Sequence, residues 1–423
     1  MFGGDIELKD QAMIISGRLS WLSSKYSSFV TLSMFSSIML LYKATLSTDP
    51  FVMVDAFQGG IALTTVIFGL VIAFSMISFS LFEKCWVACG SMSYKGVWNA
   101  CFGSKISWIP SILVIISYFT FMSICTTDLK DDMSFVFKTI DQEKWNQYSK
   151  IVVYLIIGFT GIPSLISVSF SVLLYISIIG NVGLITGCII VAAKCVINIR
   201  SFGINPEKKA IWWNWDIQNI VTSFSYINSA FFSHPIIYMV IIQITNPTKR
   251  SANKIFLTNL SITSLTIYIT GLCGYLIAFD NIGDHTLLTY LPPSLEISIA
   301  RIGAMMSNLG SSCAFCLFVT KELCDMILDM CHKSTHCRVL SVIIAILCSY
   351  AFSMTQSGIQ EIVWIIGSFS YYSLVFLLPP LYYLKVFEFR NKIWSIIAAL
   401  IMVMCIPLSS LDIYYSITSL LSN

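Results

Sequence analysis

Apolar residues fall in blocks of about twenty, set apart by short polar connectors, from residue 27 almost to the carboxyl end. A helix rises about 1.5 Å per residue, so each block is long enough to cross a hydrocarbon layer of about 30 Å. The pattern predicts about eleven spans, near 27–57, 60–82, 106–126, 150–168, 172–197, 217–245, 254–279, 295–319, 338–355, 360–381 and 393–410. With the amino terminus in the cytoplasm, the tail and even-numbered connectors hold roughly fifteen Lys and Arg, against roughly seven on the other side, which favours that orientation. Arg200, Lys208 and Lys209 run against it. The expected product is an all-α, polytopic protein of the lipid bilayer, with 1–26 a cytoplasmic tail and 27–423 one transmembrane domain.

Composition agrees and removes other classes. Of 423 residues 56% are hydrophobic and 11% charged, and the mean hydropathy is +0.80, far more apolar than a soluble domain. A net charge of +3 is too small to argue for nucleic acid, and no phosphate-cradling glycine motif follows a plausible strand. Residues 1–25 have no basic, apolar and small-residue succession of a cleaved leader. Most of the fourteen cysteines sit in apolar blocks, where a thiol behaves as a small hydrophobe. The exception is Cys331, His332, His336 and Cys337, a compact polar set whose spacing matches no standard zinc module.

Between the spans, Cys85 to Phe102 is weakly amphipathic and is expected along the cytoplasmic surface, with Trp86 and Trp98 at the interface. Trp212, Trp213 and Trp215 mark where span six enters from the other side. Thr127 to Lys150 mixes acids and bases without apolar periodicity and reads as a solvated outer loop. The one sequon, Asn259-Leu260-Ser261, falls inside span seven and is expected to stay unmodified.

Two spans are interrupted. Span one contains Ser47-Thr48-Asp49-Pro50-Phe51, and span six, in the stretch NSAFFSHPIIYMV, contains Ser233-His234-Pro235. Proline removes a backbone donor and disfavours helix at the residue before it, and in lipid the freed groups need new partners. If the chain holds two halves of five spans, about 27–200 and 217–381, with an extra helix at 393–410, the breaks occupy equivalent places. Paired interruptions of this kind point to a transporter built from inverted repeats, with its site near mid-membrane. Freed amides favour a carboxylate and freed carbonyls an ammonium or small cation, so a zwitterionic amino acid fits both. A simple proline kink, satisfied by Ser and Thr, explains one such break better than it explains a pair.

Asp49 is the most expensive residue, since a carboxylate at a helix centre costs about 2.5–3.5 kcal/mol on insertion scales. The roles open to it are a coupling proton, a pair with Lys43, or a contact with a substrate ammonium. Asp55 lies nearer the outer end and is expected in solvent. His234 can carry a proton near neutrality or hold the broken backbone. Arg301, near the outer end of span eight, is expected to reach water or pair with Glu296 or an outer-loop acid. Tyr118 either lines the cavity or packs.

From span six into span seven, FFSHPIIYMVIIQITNPTKRSANK and then GLCGYLIAFDNIGDHTLLTYLP resemble the signature of the amino acid/auxin permease family of the amino acid–polyamine–organocation superfamily. SYKGVWNACFGSK and the run from Ile297 to Lys321 carry the likeness more weakly. The nearest relatives look like sodium-coupled neutral amino acid transporters and their vacuolar counterparts. The resemblance implies a leucine-transporter-type fold, five and five inverted spans plus one, in the plasma or vacuolar/lysosomal membrane. It lays STDPFVMVDA over the family's glycine-containing substrate motif, with Ser47 and Asp49 in place of glycines and Val54 in place of the proline. By that alignment Ser47, Thr48, Asp49 and Phe51, with Phe231, Ser233 and His234, are the candidate substrate residues. Ser311 and Ser312 fall near a possible sodium site, although hydroxyls also satisfy helix backbones.

The leading expectation is a secondary active transporter of small neutral amino acids, coupled to protons or sodium and needing no cofactor. The alternatives are an amino acid sensor that does not transport, kept open by the lost glycines, or a serpentine receptor. An enzyme is not expected, because the titratable groups at membrane depth are scattered.

Overall fold

The computed structural model describes residues 32–46, 50–166, 170–202, 211–241, 244, 249–278, 287–291, 294–328, 335–353 and 357–422. These form helices α1 (Met34–Thr45), α2 (Ile61–Cys89), α3 (Tyr94–Phe102), α4 (Trp108–Thr160), α5 (Ile162–Ile166), α6 (Phe170–Phe202), α7 (Ile217–Ala230), α8 (His234–Ile241), α9 (Lys249–Ala278), α10 (Leu287–Tyr290), α11 (Leu295–Leu328), α12 (Thr335–Ser353), α13 (Ser357–Tyr372), α14 (Leu378–Phe387) and α15 (Lys392–Ser422). Seven of the helical segments are long and apolar enough to cross a membrane, and 151–165 and 336–351 are shorter apolar segments. With the two broken spans, α1 and α7–α8, the described residues supply the eleven crossings expected. Side-chain hydroxyls start several helices: Ser33 accepts from the Ser36 amide at 3.1 Å and Ser93 from the Gly96 amide at 3.0 Å.

The polar stretch 127–150 departs from expectation. It is helical throughout, within the 53-residue run of α4, because it holds no Gly or Pro and is rich in residues that tolerate helix. Leu129 and Met133 nevertheless share a buried cluster with Val153 and Ile157. A straight helix would hold Met133 and Val153 about 30 Å apart, so the run turns back on itself.

The segment 85–102 is likewise corrected. Cys85 to Cys89 complete α2, Gly90 ends it in the left-handed region at φ 66°, and α3 follows as a separate helix. Trp86 and Trp98 are not interfacial: they are 4% and 8% exposed. Trp86 meets Tyr238 edge-on at 4.8 Å, and Trp98 meets Tyr382 at 6.2 Å. Trp212 and Trp215 are exposed, while Asn259 is buried and donates to Thr45 at 3.0 Å.

Two features set the packing. Gly183 of α6 faces Gly303 of α11, and a Cβ on Gly183 would lie 2.8 Å from the Gly303 carbonyl oxygen. Such backbone contact is how helices associate in lipid, where apolar burial gives little drive. Between α13 and α14, Pro379 has no amide for the Val375 carbonyl, and the local π-turn diverts the Leu378 amide to Ser373. The two carbonyls left over are served from outside the helix: Ser78 donates to Val375, and the Tyr94 hydroxyl donates to Leu374 at 2.8 Å. Ser78→Ala is therefore expected to cost about 1–3 kcal/mol, the penalty of a buried carbonyl left bare, read as a lowered midpoint of thermal unfolding in detergent.

Candidate functional site

Both predicted breaks are present. The last helical bond of the first span runs from Leu46 N–H to the Tyr42 carbonyl at 3.0 Å. From Pro50 the chain proceeds through three-residue turns, Met53 to Pro50 and Asp55 to Val52, into a short 3₁₀ segment, Asp55–Gly59. In the sixth span α7 ends at Ala230, and the amides of Phe231 and Phe232 turn back to Asn228 and Ser229. The helix restarts with Ser233 accepting from the amides of Ile236 and Ile237. Pro235 occupies the first turn, where a missing N–H is harmless.

The breaks adjoin. On one face of the bundle Leu32 pairs with Ile244. On the other, the amides of Ile61 and Ala62 donate to the carbonyls of Ile211 and Trp212, and the Asn214 amide donates to Gly59. In between, the Ala56 carbonyl accepts Ser223 of α7 at 2.6 Å and Thr64 of α2 at 2.9 Å. Glycines of neighbouring spans make room for the turn at 50–54. A Cβ on Gly187 of α6 would reach the Phe51 ring at 2.8 Å, and one on Gly271 of α9 would come within 3.2 Å of Met53.

Of the expected site residues, Ser47, Thr48 and Asp49 lie outside the described residues. Phe51 is buried, and its carbonyl accepts the Leu287 amide of α10 at 3.0 Å. Phe231 stands edge-on to Phe68 at 5.3 Å, and its carbonyl receives the Ser233 hydroxyl at 3.5 Å. His234 is buried, with Nε2 3.2 Å from the Ser75 carbonyl of α2. Its ring meets Phe79 and Phe256 edge-on, so it faces spans two and seven. An aromatic cluster flanks the sixth-span break instead: Phe232 stacks on Phe121 at 5.3 Å, and Phe121 stacks on Tyr371 at 4.6 Å and Phe315 at 5.4 Å. Tyr118 packs beside Phe318, and its hydroxyl, Asn228 Oδ1 and Ser312 Oγ are buried without a hydrogen-bond partner. Each is a polar group available to a ligand.

Ser311 reaches the first span: its hydroxyl donates to the Lys43 carbonyl at 3.3 Å. Lys43 is fully buried and donates from Nζ to Ser307, one turn before Ser311. Its methylene stem fills the seam between α6 and α11, 3.3 Å from a Cβ built on Gly180 and 3.7 Å from one on Gly310.

One further expectation is corrected and one is resolved. Asp55 is 5% exposed and not in solvent, because the turn carries it under α7. For Arg301 the expected partner proves to be an acid of the 127–150 stretch and not Glu296, which meets Lys194 at 3.4 Å. Arg301 binds Asp132 of α4 at 3.1 Å, donates to the Leu288 carbonyl at 2.7 Å and lies 3.7 Å over the Phe135 ring. The start of α10 is thereby held twice, at the Leu288 carbonyl by Arg301 and at the Leu287 amide by the first-span break. An outer-loop acid is among the expected partners, and the structure singles out Asp132, 169 residues away. Of the polar set at 331–337, residues 331–334 lie outside the described residues, and among the described residues no metal-holding group of His, Cys, Asp or Glu occurs.

A protein-family profile described as "Transmembrane amino acid transporter protein" matches residues 30–422. No curated protein sequence matches the chain. Among solved structures the chain is similar to the substrate-bound outward-open state of a Na+-coupled sialic acid symporter, with 11% identity and TM-score 0.57, over 93% of this chain and 96% of the other. It is also similar to MhsT in complex with L-phenylalanine, with 13% identity and TM-score 0.60, over 92% and 99%. At these identities the likeness concerns the fold, which is of the leucine-transporter type.

Proposed function

This chain belongs to the transmembrane amino acid transporter family, and from that membership we propose that it moves small neutral amino acids across a membrane by alternating access. The observation that supports the reading is the adjacency of the two interrupted spans, joined at Leu32 with Ile244, at the Ala56 carbonyl with Ser223, and at 59–62 with 211–214. Ser47, Thr48, Asp49 and Phe51, with Phe231 and Ser233, are the residues we assign to the carboxylate and ammonium of the substrate. The cluster at Phe121, Phe232 and Phe315 bounds its side chain. His234 acts through Ser75, fixing the restarted helix against span two. The repeats run over about 27–200 and 217–381, the amino terminus is cytoplasmic, and the membrane is the plasma or vacuolar/lysosomal one. No covalent chemistry takes part.

We favour protons over sodium as the coupling ion, with Asp49 as carrier. Ser311 is already engaged with the Lys43 carbonyl, and Lys43 itself brings a positive charge and a bulky stem into the seam where Ser311 and Ser312 would hold a cation. Like charges in a low-dielectric seam repel strongly.

Uptake of a labelled amino acid panel into proteoliposomes, under imposed pH or sodium gradients, tests both statements. Gradient-driven accumulation is expected with a pH step in sodium-free buffer, and Asp49→Asn is expected to lose it. Accumulation that requires sodium, or that survives in Asp49→Asn, overturns the coupling assignment. Binding without flux under any gradient indicates the sensor instead, the reading favoured by Ser47 and Asp49 where the family has glycines.

A further inference from the structure

The sequence places the last span at 393–410, which leaves Asp412 beyond it. The structure carries α15 on to Ser422 and buries Asp412 to 7% exposure. Its Oδ2 accepts two hydroxyls: Ser225 of α7 at 3.0 Å and Ser368 of α13. Three separate spans therefore meet on one carboxyl group, and one of them is the half of span six that precedes the break.

The surroundings are neutral. From α13 the titratable neighbour is the Tyr372 phenol, and on its own helix Cys405 lies two turns back, its thiol donating to the Tyr372 carbonyl at 3.7 Å. From α7 the Ser225 hydroxyl faces it. Among the described residues α2 and α14 bring no charged group to it, and no Lys, Arg, His or second acid is bonded to it. A buried charge with no counter-ion is costly, and the group escapes that cost by taking a proton. Both hydroxyls converge on Oδ2, which leaves Oδ1 to carry it.

We propose that Asp412 is a proton-binding site, distinct from the substrate site, whose occupancy sets how firmly α7 is held. As a carboxylate it grips Ser225 with a charge-assisted bond, roughly twice as strong as the bond to a neutral acid. Protonation loosens that grip, so the half-helix moves more readily. The proposal deepens the transport reading and rests on it for the link to motion, whereas the proton site itself can be tested without transport.

The test is substrate exchange in proteoliposomes at equal pH on both sides, where no proton gradient acts. In the native protein exchange should quicken on acidification by about tenfold, the rate equivalent of the weakened bond. Asp412→Asn keeps an oxygen for Ser225 and Ser368 and imitates the protonated group, so it should exchange at the fast rate at every pH. Asp412→Glu should restore a pH-dependent rate. Slow exchange by Asp412→Asn, or the native acid-dependence retained in it, overturns the proposal. Infrared spectroscopy supplies the second readout: a protonated-carboxyl C=O stretch that titrates in the native protein and is lost in Asp412→Asn. If no amino acid is carried at all, the transport reading fails, and this band alone decides the proton site. Its presence upholds the site, and identical spectra reject it.

Discussion

Arg301→Leu should destabilise the folded protein by about 3–5 kcal/mol, the usual cost of removing one partner of a buried ion pair. Both side chains are 3% exposed, so solvent does little to screen the charge left on Asp132. The loss is not confined to the pair. The Leu288 carbonyl loses its donor and the Phe135 ring its cation, and α10, bonded to the first-span break through Leu287 and Phe51, loses its second attachment. Thermal unfolding in detergent measures the stability term. The double variant Arg301→Leu with Asp132→Leu should recover part of it, because two apolar side chains bury no charge. If the double variant is no better than the single one, the ion pair is not the origin of the loss.

Gly303→Val should be comparably severe, about 3 kcal/mol or more, at the upper end of what overpacking costs. Most overpacked sites relax by moving a side chain. Here the obstacle is the Gly183 peptide of α6, so two whole helices have to part. Ser307, which receives the Lys43 ammonium, lies one turn along from Gly303, and parting α6 from α11 also unseats that lysine. The expected result is loss of monodisperse protein on gel filtration together with a lower unfolding midpoint. A valine variant as stable as the native chain would place the helix crossing elsewhere.

How much of this was readable beforehand follows from what a bilayer writes into sequence. Spans are legible because lipid demands long apolar blocks, and breaks because Pro50 and Pro235 cannot sit quietly in a helix. The faces of the spans are not legible, since lipid and protein interior are equally apolar and the usual polar stripe disappears. Hence Trp86 and Trp98, plausible at an interface, turned out to be buried, and Lys43 gave no sign that it would point at Ser307. Which distant partner a residue takes is set by the fold: Asp132 among the acids of 127–150 for Arg301, and Ser225 for Asp412. The polar run 127–150 is a different case: it lacks apolar periodicity, yet nothing in it breaks a helix.

The joints between the first and sixth spans are Leu32 with Ile244 at one end, 59–62 with 211–214 at the other, and the Ala56 carbonyl with Ser223 between them. Four short rods laced at both tips and between them form one lever, not a pair of independent hinges. A load at mid-depth is therefore shared by both halves. Spectroscopic labels on the two spans should keep their mutual spacing while each shifts against α4 and α11 through the working cycle.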